Sequence, residues 1–188
     1  MAYIQDTTFL KEDISKIVLS YSEFDNCTFV ECNFEGINLN GIKFTECSFE
    51  ECNLSLVKLN DTAFRTVKFI SCKMLGLRFD ECNDFGLELS FYDCQLKHSS
   101  FYKVKLKKTI FNSSQLEEVD FSESDLTEAT FDRCNLKGAT FDRTILIKVD
   151  FRTSENYTIN PELNKIKKAK FSLPGVLGLL SKYDIVID

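Results

Sequence analysis

One large apolar side chain recurs every five residues along most of this chain: Phe9, Ile14, Leu19, Phe24, Phe29, Phe34, Leu39, Phe44, Phe49, Leu54, Leu59, Phe64, Phe69, Met74 and Phe79. The beat resumes at Phe91 and runs through Leu96, Phe101, Leu106, Phe111, Leu116, Phe121, Leu126, Phe131, Leu136, Phe141 and Leu146 to Phe151. Two positions ahead of most of these stands a small or β-branched residue, as at Cys27, Cys32, Cys47, Cys52, Thr62, Cys72, Cys94, Ser99, Ala129, Cys134 and Ala139. A period of five matches neither the helix (3.6) nor the alternating strand (2.0). It suits a chain that turns a corner every five residues, with one large and one small side chain pointing inward on each side. Four sides then close a square coil of 20 residues, and coils stack through backbone hydrogen bonds about 4.8 Å apart.

Three stretches show the unit plainly: CTFVECNFEG from Cys27, CSFEECNLSL from Cys47 and ATFDRCNLKGATFDR from Ala129. They resemble the pentapeptide-repeat family, whose pattern is a small residue, any residue, Leu or Phe, then two mostly polar residues. The resemblance spans roughly residues 5–151 and implies an all-β solenoid, a right-handed quadrilateral β-helix with a short C-terminal helix. The expected division is 1–171 for the repeat β-helix and 172–188 for a helix and tail that cap the rod or dimerise it. At the 20-residue lag, Ile4, Phe24, Phe44 and Phe64 form one column. Phe91, Phe111, Phe131 and Phe151 form another, and Leu106, Leu126 and Leu146 a third kind.

The beat slips by two residues between Phe79 and Phe91, which puts Asp84 where a core residue belongs. A bulge at Asp84, Phe85 and Gly86, within a register break near 80–90, accounts for it. A β-helix also leaves unpaired edges at its ends that must be covered. Near the C-terminus Ser172 suits an N-cap and Pro174 a first turn, and Leu173, Val176, Leu177 and Leu180 share one helical face. That face caps the last coil or forms a two-fold contact. In the family a C-terminal helix commonly dimerises, so the resemblance implies a homodimer.

Composition removes most chemistry. The eight Cys follow the five-residue spacing, so they read as buried core thiols rather than a disulfide framework or a zinc site. The single His, His98, reads as a surface residue and leaves no nucleophile–base pair. Seven scattered Gly make no phosphate loop. The chain is therefore expected to be no enzyme, with no catalytic, cofactor or metal site. A net charge of −6 argues against direct nucleic-acid binding. No apolar run is long enough to span a membrane, and Met1 to Lys11 lacks the basic and apolar parts of a signal peptide, so a cytoplasmic location is expected.

Charge arrangement differs between the two halves. Later in the chain, Lys97/Glu117/Lys137, Lys103/Glu123/Arg143 and Lys108/Glu128/Lys148 alternate at the 20-residue lag, and Asp132 falls beside Arg152. These read as cross-strand ladders worth a few tenths of a kcal/mol per pair. Earlier, Glu23, Asp25, Glu31, Glu35, Glu46, Glu50, Glu51 and Asp61 face only Lys43 and Lys58, and Glu31 stacks on Glu51 with no cation between them. That belt is either a solvated face or an anionic surface able to compete for a DNA-binding groove. The chain resembles the Qnr, MfpA and McbG-type members of the family, and TINPELNKI from Thr158 is similar to the immunity-type stretch. The resemblance implies a DNA mimic that engages DNA gyrase or topoisomerase IV and modulates quinolone or toxin sensitivity. A general protein–protein scaffold is the alternative.

Overall fold

The computed structural model describes residues 3–12, 14–20, 22–183 and 185–187, with 18–20 described by backbone alone. Short strands three or four residues long stack into two parallel sheets. One side of the rod carries β1 (Tyr3–Gln5), β3 (Glu23–Asp25), β5 (Lys43–Thr45) and β7 (Ala63–Arg65). The next side carries β2 (Thr8–Leu10), β4 (Thr28–Val30), β6 (Ser48–Glu50), β8 (Val67–Ile70), β9 (Leu89–Tyr92), β10 (Ile110–Asn112) and β11 (Thr130–Asp132) in one seven-stranded sheet. The third and fourth sides stack through single bridges such as Asn33↔Asn53 and Asn38↔Lys58. Partners are 20 residues apart in register, as in Phe24↔Phe44 and Phe29↔Phe49, so each coil is four five-residue sides.

The corners have a conformational signature. Two residues past the large apolar position the backbone is left-handed, at φ 52° for Glu46, 53° for Glu51, 56° for Asp61 and 55° for Glu118. An L-residue held there costs about 1 kcal/mol. The same corner residues donate to the next coil, Glu46 N–H to the Arg65 carbonyl at 2.8 Å and Glu51 N–H to the Ile70 carbonyl at 2.9 Å. Stacking thus offsets the strain.

Inside, the rings of Phe9, Phe29, Phe49, Phe69, Phe91, Phe111, Phe131, Phe151 and Phe171 form one stack with centroids 4.7–5.6 Å apart. Phe79, Phe101, Phe121 and Phe141 stack alongside, meeting the first column edge to face, as Phe111 meets Phe121 at 82°. Where the small position is Cys, Ser or Thr, it works as a hydrogen-bond donor. Cys52 Sγ reaches the Phe29 carbonyl at 3.3 Å and Cys72 Sγ the Phe49 carbonyl at 3.3 Å, while Thr62 Oγ1 reaches Leu39 at 2.8 Å and Ser154 Oγ reaches Phe131 at 2.8 Å. Size lets the residue fit the corner, and the donor satisfies a carbonyl of the preceding coil.

Two sequence expectations change. The leucines Leu106, Leu126 and Leu146 are no separate column: with β8 paired to β9 and β9 to β10, they continue the Phe24–Phe44–Phe64 column past the break. Ile14 does not begin a coil side, because Ile14–Ser20 is an α-helix, α1. Ile14 and Ile17 lie at helical spacing and pack on the core, and no small residue precedes Ile14 at the corner position, where Glu12 stands. The helix covers one end of the stack. The side chain of Leu19 lies outside the described residues.

Candidate functional surfaces

The eight early carboxylates do not share one side. Glu23 and Asp25 lie on the β1–β7 side, Glu50 on the seven-stranded side, and Glu46, Glu31, Glu51 and Asp61 at corners, with Glu35 on the third side. They form a girdle around the first coils. Glu31 is compensated after all: Lys11 reaches it at 3.0 Å from the coil on the other side, so the Glu31–Glu51 stack is not bare. Glu23 pairs with Lys43 at 3.6 Å. Among the described residues several of the rest accept neutral hydrogen bonds. Asp25 takes the Tyr3 hydroxyl at 3.0 Å, Glu35 the Asn53 amide at 3.0 Å, Asp61 the Asn83 amide at 2.7 Å and Glu50 the Ser48 hydroxyl at 3.2 Å. Among the described residues no cation sits within ion-pair distance of Glu46, Glu50 or Glu51.

Farther along, several acids pair with cations. Lys97 meets Glu117 at 3.0 Å, Lys103 and Arg143 both meet Glu123 at 3.5 Å, and Lys148 meets Glu128 at 2.5 Å. One expected pair is different. Arg152 turns to Asp150 on its own strand side, at 2.7 Å, and Asp132 is held by Arg133 at 3.3 Å. Residues two apart on one side point the same way, so the short local pair outcompetes the one between coils. The Arg152 guanidinium, with Lys170 at 3.6 Å, holds the Asp150 carboxyl below the usual carboxylate range. The Lys148 ammonium does the same for Glu128.

The two extra residues lie between Asn83, still 20 residues from Ala63, and Leu89, 22 residues from Val67. Asp84 points to solvent and meets Lys105 at 3.7 Å. Phe85 is 75% exposed, with the Arg65 guanidinium 5.5 Å from its ring centroid. Gly86 takes φ +71° against the Arg65 side chain. Leu87 folds back onto the core in place of Asp84.

At the far end Ser172 Oγ accepts from Gly175 N–H at 3.1 Å, and the chain then winds through a 3-10 turn at Pro174–Val176, α2 (Leu177–Leu180) and a second 3-10 turn at Ser181–Tyr183. The side laid on the rod is the glycine side. An added Cβ at Gly178 would come 2.1 Å from the Tyr157 carbonyl oxygen, and Ile159 N–H donates to the Gly178 carbonyl at 3.1 Å. Leu179 packs on the core. Of the expected face, Leu173 and Leu177 stay 89% and 52% exposed, while Val176 and Leu180 are half-buried. Periodicity pointed to the leucines; the close approach allowed only by glycine chose the other side.

A family profile described as "Pentapeptide repeat region" matches residues 87–160, and one described as "Pentapeptide repeats (8 copies)" matches 15–45 and 22–61. The chain belongs to the pentapeptide-repeat family. Among solved structures, this pentapeptide-repeat protein is similar to HetL, described as involved in heterocyst differentiation regulation in the cyanobacterium Nostoc sp. strain PCC 7120. The TM-score is 0.62 at 15% identity, over 91% of this chain and 84% of HetL. It is also similar to a trypsin-treated QnrB1, described as a plasmid-mediated fluoroquinolone resistance protein, with a TM-score of 0.47 at 18% identity over 99% and 97% of the two chains. No curated protein sequence matches.

Among the described residues of this pentapeptide-repeat protein, no group of His, Cys, Asp or Glu is arranged to hold a metal ion, and no helix is long and apolar enough to cross a membrane. Burial pushes the Cys47 thiol up to about 12 and the Cys134 thiol to about 11. Thiols of that kind stay protonated and unreactive near neutral pH. His98 is exposed, its Nδ1 3.2 Å from Glu118.

Proposed function

We propose that this chain is a non-enzymatic binding protein whose early carboxylates occupy a basic protein groove that otherwise holds duplex DNA. The partner to which the resemblance directs this reading is DNA gyrase or topoisomerase IV, with quinolone or toxin sensitivity as the downstream effect. The supporting observation is the contrast in compensation. Among the described residues Glu46, Glu50 and Glu51 have no cation within ion-pair distance, whereas Glu117, Glu123, Asp125, Glu128 and Asp150 each pair with at least one. Uncompensated charge destabilises neighbouring strands slightly and raises attraction to a basic surface. A cytoplasmic location goes with this reading.

The test is gyrase-catalysed supercoiling with added wild-type chain, with and without a quinolone. Inhibition or protection at micromolar protein supports the proposal. No effect, together with no detectable complex, sinks it.

A second reading has its own observation. The seven-stranded side is sparsely charged and shows Leu10, Val30, Ile70, Tyr92 and Ile110 along the rod, a surface suited to a protein scaffold with another partner. Exposed Leu173 and Leu177 support a homodimer through the C-terminal helix. A Leu177→Asp, Leu180→Asp variant with unchanged mass in solution would refute that contact.

A further inference from the structure

Three outward residues of the seven-stranded side, Lys68, Ser90 and Ile110, are backbone partners in successive coils. At the strand spacing their side chains follow one another about 4.8 Å apart. Ser90 is short and its two neighbours are long, so the column dips at Ser90. Leu87, from the loop with the two extra residues, closes one margin of the dip. Tyr92, two residues along the strand from Ser90, stands at the other. The hollow measures about 480 Å³.

Its chemistry is one-sided. Lys68, Lys107 and Lys108 line it, with the hydroxyls of Ser90 and Tyr92. Lys107 is held by Asp125 at 3.3 Å. Among the described residues no acid lies within ion-pair distance of Lys68 or Lys108, and Glu128, the next corner acid beyond Lys108, is taken by Lys148. Glu88, the acid among the described lining residues, already accepts from the Thr66 hydroxyl at 2.9 Å. Ile110 is 40% exposed, although its neighbours in the column are Ser90 and Thr130. Unspent ammonium groups beside exposed aliphatic and aromatic surface match carboxylates that flank an aliphatic side chain.

We propose that the hollow at Ser90 binds an extended segment of a partner protein that carries two acids with an aliphatic residue between them. The site rests on the reading of this side as a scaffold surface. The spacing favours a peptide over a small free acid. Lys68 and Lys108 stand two coils apart and two residues apart along the strand direction, about 12 Å between α-carbons at those spacings. Acids four apart on an extended chain are about 13 Å apart and face the same way. The residue midway between them faces that way too, and comes to rest over Ser90.

Fluorescence anisotropy of the full chain with a labelled Glu-Ser-Leu-Ser-Glu peptide tests this, with Lys-Ser-Leu-Ser-Lys as the control. The acidic peptide should bind saturably below about 1 mM, the basic one should not, and added salt should weaken the complex. Lys68→Gln with Lys108→Gln should weaken binding by about tenfold or more. So should Ser90→Phe, which fills the dip without changing charge. All three positions point outward, so urea midpoints should stay at the wild-type value. Leu10→Asp with Val30→Asp alters the same side outside the hollow and should change binding by less than about twofold. Binding of the acidic peptide that survives both hollow variants overturns the site, and loss only with Leu10→Asp, Val30→Asp would keep the scaffold surface without it. A wild type that binds the basic peptide as well as the acidic one also overturns the site. No binding of either peptide counts against the scaffold surface as a whole.

Discussion

The Cys52 thiol donates to the Phe29 carbonyl, 23 residues earlier, at 3.3 Å. The bond repeats with hydroxyls at Thr62, Thr144 and Ser154, on the carbonyls of Leu39, Phe121 and Phe131 at 2.8–2.9 Å. In the Cys52 column, where Cys94, Cys134 and Ser154 also donate to a carbonyl, the fit is to a small donor and not to sulfur as such. Cys52→Ser should therefore stay within about 1 kcal/mol of wild type, while Cys52→Val, which fills the space without donating, should cost about 1–2 kcal/mol. Urea unfolding midpoints decide between them. Equal costs would mean that volume alone governs the site.

Phe111 sits between Phe91 and Phe131 at 5.1 and 4.7 Å and touches no solvent. Phe111→Ala should cost about 3–5 kcal/mol through the cavity it leaves. Phe111→Leu should cost less than half of that, since leucine fills the large position elsewhere in the repeat. Because each coil contacts only its neighbours, hydrogen exchange should quicken around residues 91–131 before it does at the ends.

Two glycine substitutions separate backbone strain from steric conflict. Nothing lies within 4 Å of an added Cβ at Gly36, but its φ is +67°. Gly36→Ala should thus cost about 1 kcal/mol. At Gly178 the Cβ meets the Tyr157 carbonyl, so Gly178→Ala should lift the C-terminal segment from the rod. Faster proteolysis or exchange over 172–183 in Gly178→Ala, and not in Gly36→Ala, is the expected pattern.

Asp150 ties stability to acid pH. Arg152 keeps its carboxyl more acidic in the folded chain than in the unfolded one, so the folded state binds fewer protons. The stabilisation is complete above the unfolded value, about 3.9, and is lost as pH falls through the lower folded value. Asp150→Asn should cost about 1 kcal/mol near neutrality, and the gap to wild type should close in strong acid. A constant gap would assign the effect to packing.

Much of the fold was legible because the repeat repeats its physics. The five-residue beat located the core phenylalanines, the corners and the slip at Asp84. It misread Ile14, where the same spacing also suits a helix. The sequence could not say which coil a charge turns to. Glu31 finds Lys11 rather than facing Glu51, and Arg152 prefers Asp150 to Asp132, because local geometry at a corner decides each pair. Nor could it foresee the hollow beside the loop, which Lys68, Leu87, Tyr92 and Ile110 line together. The pairing of Phe85 with Arg65 depends on the same loop.

The binding proposal stands or falls most directly on competition with DNA. Labelled duplex bound to gyrase should be displaced by the wild-type chain, and a Glu46→Lys, Glu50→Lys, Glu51→Lys variant should compete about tenfold less well or worse. Competition should also weaken as salt rises. No displacement at micromolar chain, or displacement indifferent to the triple charge reversal, would contradict the account.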